Sequence, residues 1–304
     1  MEQQAFAPSF PVVDVHTHVY PSSYIELLRS RTTVPHIDDP EDGTDNLRLI
    51  ILSSDDNADL PKCQRGRPIR PTYSSPNLKI SFMKKHRITS SILSLCEPVP
   101  RLRLTRGRSV MGRENQQRFG KHIKGVIMGT SSLDKGVDDP ALDPVWAALE
   151  LLFLHPHYGL PAEPFGGESS VARYGHVLPL ALGFPLETAI AVTRMYLSRV
   201  FDRFPGLRLL LAHSSGPLPF LAGRTERCVA HERKFVKNGG KLAVPEKSIW
   251  EVLTQNIYFD AVVYGQPGLA AAVKAAESVN RVMCGEHIFP YTSQMVVPHF
   301  KIEC

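Results

Sequence analysis

At 304 residues, 43% of them hydrophobic and 21% charged, the chain suits one folded domain with a sizeable core and excludes disordered and collagen-like classes. The formal net charge of +5 gathers between Arg101 and Lys124, where eight basic residues meet one acid, Glu114; without aromatic interleaving the segment reads as a solvated loop, not a nucleic-acid surface. No run approaches about 18 apolar residues and the first residues lack a leader pattern, so neither a membrane span nor export is expected.

The first element is an apolar run, residues 12–21, that carries His16 and His18 one residue apart. On a strand that continues through them, both imidazoles face one side and reach a common cation. Asp14 reads as a hydrogen-bond acceptor near the strand end. Residues 22–31 follow as a short helix capped by Ser22 and Ser23. Residues 34–77, rich in Asp, Pro, Ser and Gly with an apolar island at 47–52, are expected to form a lid-like insertion of little regular structure. A helix at 77–86, with Leu78, Phe82 and Met83 on its apolar face, leads to a buried strand at 90–96 that Pro98 and Pro100 end. Another strand spans 125–129, and a helix starts at Asp143 with Pro144 in its first turn. The run at 151–155 closes on His155. A long helix at 187–201, stopped by Phe204-Pro205-Gly206, precedes a run at 207–213 that closes on His213. The last strands, 257–260 and 281–285, flank a helix at 268–279. Strands alternating with helices imply βαβ units and a parallel sheet, here with at most seven clear strands.

Three apolar runs that close on histidine suit a parallel barrel, which gathers side chains at the mouth formed by its strand C-termini. Imidazole with carboxylate suits zinc or another first-row divalent cation, so His16, His18 and His155 are candidate metal ligands. His213, followed by Ser214-Ser215-Gly216, is the candidate base, or the group that orients a water on the metal. Glu286, the acid after the last strand, is the candidate carboxylate ligand and catalytic acid. His157 and His176 are expected to line the pocket or pair with backbone. Cys63, Cys96, Cys228, Cys284 and Cys304 are odd in number and widely spaced, which reads as reduced thiols in a cytoplasmic protein.

The runs Val13-Asp14-Val15-His16-Thr17-His18, Leu154-His155-Pro156-His157 and Leu211-Ala212-His213-Ser214, with Leu218-Pro219-Phe220 and Gly223-Arg224 after them, resemble the amidohydrolase-superfamily branch typified by aminocarboxymuconate-semialdehyde decarboxylase. Residues 24–31 and 175–185 are most similar to fungal members of the 6-methylsalicylate and isoorotate decarboxylase type. The resemblance implies an α/β fold, a distorted TIM-like (β/α)8 barrel forming a single domain over residues 1–304. It implies a metal-dependent, non-oxidative decarboxylase of an aromatic acid of 6-methylsalicylate or orsellinate type, in fungal polyketide metabolism. Its partner would be a small aromatic acid, its oligomer a homodimer, and its cofactor zinc with no organic group. The zinc would be held by His16, His18 and His155 and by an aspartate after the last strand, where a one-residue gap puts Glu286. His213 would match the histidine that hydrogen-bonds water on the metal. Against the family pattern the chain lacks room for one strand unit between Leu95 and Gly125 and for the closing helices after Glu286. Two alternatives share the same histidines: a metal-dependent hydrolase of an amide or lactone, and an inactive truncated member of the family.

Overall fold

Strand β1 (Val13–Val19) alternates β-branched valines with polar positions, a pattern that packs well in a pleated, half-buried strand. The structure, a computed structural model, describes residues 13–39, 47–95, 126–132, 135–149, 151–157, 159–236 and 244–283. The basic segment at 101–124 and the chain beyond residue 283 lie outside them. Helix α1 (Ser22–Arg29) buries Tyr24 and Leu28, four residues apart on one face. Its N-cap is Pro21, without a side-chain cap, so Ser22 and Ser23 sit inside the helix and not at the expected capping position.

The insertion expected to lack regular structure instead holds an antiparallel sheet of β2 (His36–Asp38), β3 (Arg48–Ile50) and β4 (Arg67–Pro68), in that order. Strands of two or three residues are too short to announce themselves by alternation. Their apolar residues Ile37, Leu49 and Ile69 build a small core with Tyr20, Tyr24 and Leu28. Helix α2 (Pro76–His86) starts at Ser75, whose hydroxyl accepts from the Leu78 N–H. Its burial departs from the expected face: Leu78 and Ile80 are exposed while Lys79 is buried. The Lys79 ammonium donates to Thr17 Oγ1 at 3.0 Å and lies 3.7 Å from Asp14 Oδ2, so a buried carboxylate under β1 decides which face docks.

Strand β5 (Ser90–Leu95) pairs parallel with β1, with a register shift between Asp14 and Thr17. Strand β6 (Val126–Gly129) is followed by a hairpin of β7 (Ser131–Ser132) and β8 (Lys135–Gly136), then by α3 (Asp143–Ala148), which buries Trp146. Strand β9 (Leu151–His155) precedes α4 (Glu168–Tyr174), a π-helical turn Pro179–Gly183, and α5 (Phe184–Leu197). The single helix expected over 187–201 is two: Arg199 adopts a left-handed backbone, φ 63°, and α6 (Val200–Arg203) starts anew. Strand β10 (Arg208–Leu211), α7 (Leu218–Val236), α8 (Ile249–Gln255), β11 (Ile257–Asp260), α9 (Gln266–Ala276) and β12 (Val282–Met283) complete the described order.

The parallel strands form two sheets, β1-β5 and β12-β11-β10-β9-β6. Leu209, Leu211, Ile257 and Phe259 are wholly buried with Val192, Val252 and Ala272 of the covering helices, so β10 and β11 read as near-continuous apolar runs. This alternation of parallel strands and helices is the distorted (β/α)8 barrel class. Among the described residues no single helix is long and apolar enough to cross a membrane.

Candidate metal centre

Because β1 continues through Val19, His16 and His18 share a side, and their Nε2 atoms lie 3.0 Å apart. His155 ends β9, and its ring centroid lies 4.9 Å from each of those two rings. His213 occupies the turn Ala212–Ser215 that follows β10, 5.6 Å from His16 and 5.3 Å from His155 between ring centroids. Ligand nitrogens of His16, His155 and His213 fall within 4.8 Å of one another. The structure thus brings His16, His18, His155 and His213 into one cluster at the C-terminal ends of three parallel strands.

Two hydrogen bonds decide which nitrogen the rings offer. His16 Nδ1 donates to Asp260 Oδ2 at 2.7 Å, and His155 Nδ1 donates to the Pro156 carbonyl at 2.7 Å. Both acceptors lack a proton to give, so the ring protons are assigned to Nδ1, which makes Nε2 the acceptor nitrogen of each ring. Two nitrogens on one tetrahedral zinc, at bond lengths of about 2.0–2.1 Å, stand roughly 3.3 Å apart. The 3.0 Å between His16 and His18 is close to that. The donor set therefore fits a divalent cation, which His16 could share with His18 on one side and with His155 and His213 on the other.

Among the described residues Asp260, at the end of β11, is a carboxylate that reaches this cluster. Its Oδ1 also accepts from the backbone N–H of Ser214 at 2.8 Å and of Val262 at 3.1 Å. Burial raises the Asp260 carboxyl, but the His16 hydrogen bond and the charges of His16 and His213 outweigh it and hold the group below its ordinary value. Glu286, expected to supply the carboxylate, lies outside the described residues. Sequence reasoning missed Asp260 although a signal existed: Ile257-Tyr258-Phe259-Asp260 is an apolar run closing on a polar residue, the arrangement that marked the histidines.

The turn that carries His213 is strained. His213, Ser214 and Ser215 have φ of 56°, 49° and 59°, a left-handed region that costs a non-glycine residue about 1–2 kcal/mol. Asp260 holds it from both ends of its own residue, since Ser214 Oγ also donates to the Asp260 carbonyl at 2.5 Å. Burial drives the His213 imidazole down to about 4. For His155, burial and then the neighbouring His18, His16 and His213 push the ring well below 6.5. Neutral imidazoles at pH 7 are the form that binds metal.

A cavity of about 190 Å³ is bordered by His157, Phe184 and Glu187. The Phe184 ring also stands 6.2 Å from His155 and 5.9 Å from His213. Burial lowers His157 to about 4. Glu187, in the first turn of α5, accepts from Thr130 Oγ1, from the His157 N–H at 3.3 Å and from the Gly159 N–H at 3.0 Å. Burial raises its carboxyl, and these bonds oppose the rise. No local pattern marks Glu187, because its partners lie 28 to 57 residues earlier in the chain. His176, expected to line the pocket or pair with backbone, bonds Asp55 Oδ1 through Nε2 at 2.8 Å, tying the insertion to the segment before the π-helical turn.

The chain is 33% identical over 108 residues to the 2-amino-3-carboxymuconate-6-semialdehyde decarboxylase of Dictyostelium discoideum, a match over 34% of this chain and 28% of that protein. It thus spans little more than a quarter of the length of that curated relative. Against the crystal structure of Metarhizium anisopliae IDCase in apo form, identity is 38% and the TM-score 0.81, over 94% of this chain and 87% of that one. A 5-carboxyvanillate decarboxylase from Novosphingobium aromaticivorans, solved with manganese and 4-hydroxy-3-methoxy-5-nitrobenzoic acid, shares the fold at 17% identity and a TM-score of 0.64, over 92% of this chain and 86% of that one. The amidohydrolase family model matches residues 114–283, more than half of the sequence. With the histidines gathered at the strand ends, these matches establish that the chain belongs to the amidohydrolase family, in the branch that includes the aminocarboxymuconate-semialdehyde decarboxylases.

Proposed function

We propose that the protein is a metal-dependent, non-oxidative decarboxylase of a salicylate-type aromatic acid. The carrying observation is the cluster itself: His16 Nε2 lies 3.0 Å from His18 Nε2, and ligand nitrogens of His16, His155 and His213 fall within 4.8 Å of one another. Relatives named as decarboxylases support the same reaction class. In this reading His16, His18 and His155 hold zinc or another divalent first-row cation, and Glu286 adds the fourth ligand. When bound, the cation supplies Lewis-acid stabilisation of the negative charge that grows as the ring loses aromaticity. Asp260 fixes the ring of His16, and Phe184 and the cavity wall exclude water from the aromatic face. His213, neutral at pH 7, moves the proton that replaces the departing carboxyl at the ring carbon, with Glu286 as the second acid. Residues 34–77 serve as a lid, since Leu52 forms part of the cavity wall. The same reading takes the chain as a cytoplasmic homodimer acting on polyketide-derived acids.

The test is carbon dioxide release from 2-hydroxybenzoates by the full chain loaded with zinc or manganese, beside hydrolysis of the matched esters and lactones. Gas that disappears on chelation and returns with metal is expected. Hydrolysis without gas would overturn the reading in favour of a hydrolase.

A further inference from the structure

The cavity bordered by Phe184 and Glu187 is small, and its chemistry is one-sided. Its volume of about 190 Å³ exceeds the roughly 150 Å³ of an engineered cavity that binds benzene, so it takes a single ring. Leu52, Phe165, Val171 and Phe184 give it apolar walls. Its charged lining residues are both acids, Glu168 and Glu187, and no Lys or Arg lines it among the described residues. A substrate carboxylate is repelled there, and Phe184, which lines this cavity, also stands beside the His155 and His213 rings.

Glu187 is 7% exposed, and a carboxylate offers about four lone-pair directions. Among the described residues three donors reach it: the Thr130 hydroxyl and the backbone N–H groups of His157 and Gly159. Each carboxylate oxygen thus has a partner, three donors stand against about four lone-pair directions, and the group borders the cavity. We infer that Glu187 reads the substrate, its remaining lone pair accepting a hydrogen bond from a hydroxyl or ring N–H on the edge remote from the substrate carboxylate. This rests on the decarboxylase reading and narrows it to one-ring acids that carry a distal donor. An ether at the same place presents oxygen lone pairs to a carboxylate and is rejected, because a site built to accept a donor discriminates strongly against analogues lacking it.

The experiment compares 2-hydroxybenzoates bearing a hydroxyl or a methoxy group at ring carbon 4 or 5, using the full metal-loaded chain, by kcat/KM and by calorimetric binding. The hydroxyl member is expected to be favoured about 10- to 100-fold at one of the two positions, the scale of a hydrogen bond to a charged group. In Glu187→Gln the ratio moves toward the methoxy compound, because the amide brings a donor of its own. A purely structural role would lower both compounds equally and leave the ratio intact. A wild-type ratio near one at both positions, or an unchanged ratio in Glu187→Gln, overturns the inference. If the variant does not fold, the wild-type ratio alone decides. Absence of gas with metal bound would defeat the decarboxylase reading, while the binding ratio would still report on Glu187.

Discussion

Asp260 Oδ2 and His16 Nδ1 stand 2.7 Å apart with both side chains fully buried, so the acid fixes the ring that offers Nε2 to the cation. Carboxylates in this position commonly govern metal affinity without touching the ion. Asp260→Asn is therefore expected to weaken zinc binding by about 10- to 100-fold, read by competition with a chromophoric chelator. A second residue-scale prediction concerns acid. Histidines in the unfolded chain titrate near 6.5, whereas folded His157 and His213 are held near 4 by burial. Between those values the unfolded chain binds more protons, so stability is complete above about 6.5 and falls as pH drops toward 4, by about 1.4 kcal/mol per pH unit for each group. Urea midpoints of metal-free protein at pH 7, 6 and 5 check this, and His157→Leu should remove one group's share of the slope. At this scale the histidines were legible because each closes an apolar run. Glu187 was not, since what defines it is a long-range set of donors.

At the scale of elements, α2 illustrates what periodicity misses. Its apolar residues Leu78 and Ile80 face out while Lys79 faces in, because Asp14 is 2% exposed and accepts from His16 N–H at 3.0 Å, from Thr17 Oγ1 and from Ser91 Oγ at 2.9 Å. A cation is needed beside that carboxylate, and α2 is the helix that carries one there. Lys79→Met keeps the apolar stem and removes the ammonium, leaving a buried charge without its countercharge. The expected cost is about 2–4 kcal/mol, read from urea unfolding, below the full penalty of a broken buried pair because three hydrogen bonds to Asp14 remain. The sequence pattern located most of the parallel strands and helices because their apolar runs are long. It failed where an element is two or three residues long, as in the insertion, or where one left-handed residue, Arg199, divides a helix whose pattern runs on.

The described residues form two cores, one among the five-stranded sheet and its helices and a smaller one where α1 meets the insertion. Beside that small core, on which Ile51 packs, the insertion is also fastened by Asp55 and His176, whose side chains are 12% and 9% exposed. Asp55 further accepts from the N–H groups of Ile51 and Leu52, at 3.1 and 2.9 Å, so the fastening sets the position of Leu52 in the cavity wall. Burial raises the Asp55 carboxyl, but the bond to His176 and these backbone donors outweigh it and hold it below 3.8. Its contribution is thus present above that ordinary value and is lost as pH falls through the depressed one. Asp55→Asn and His176→Gln should each increase limited proteolysis within residues 47–73, with a coupling of about 1–2 kcal/mol in a double-mutant cycle. Because Asp55 pairs with His176 and with the Ile51 and Leu52 N–H groups, while Asp260 pairs with His16, zinc affinity should stay within about threefold of wild type, a change of under 1 kcal/mol. KM for the aromatic acid should rise several-fold as Leu52 loses its fixed place. A matching fall in metal affinity would instead mean that the insertion and the histidine cluster form one cooperative unit.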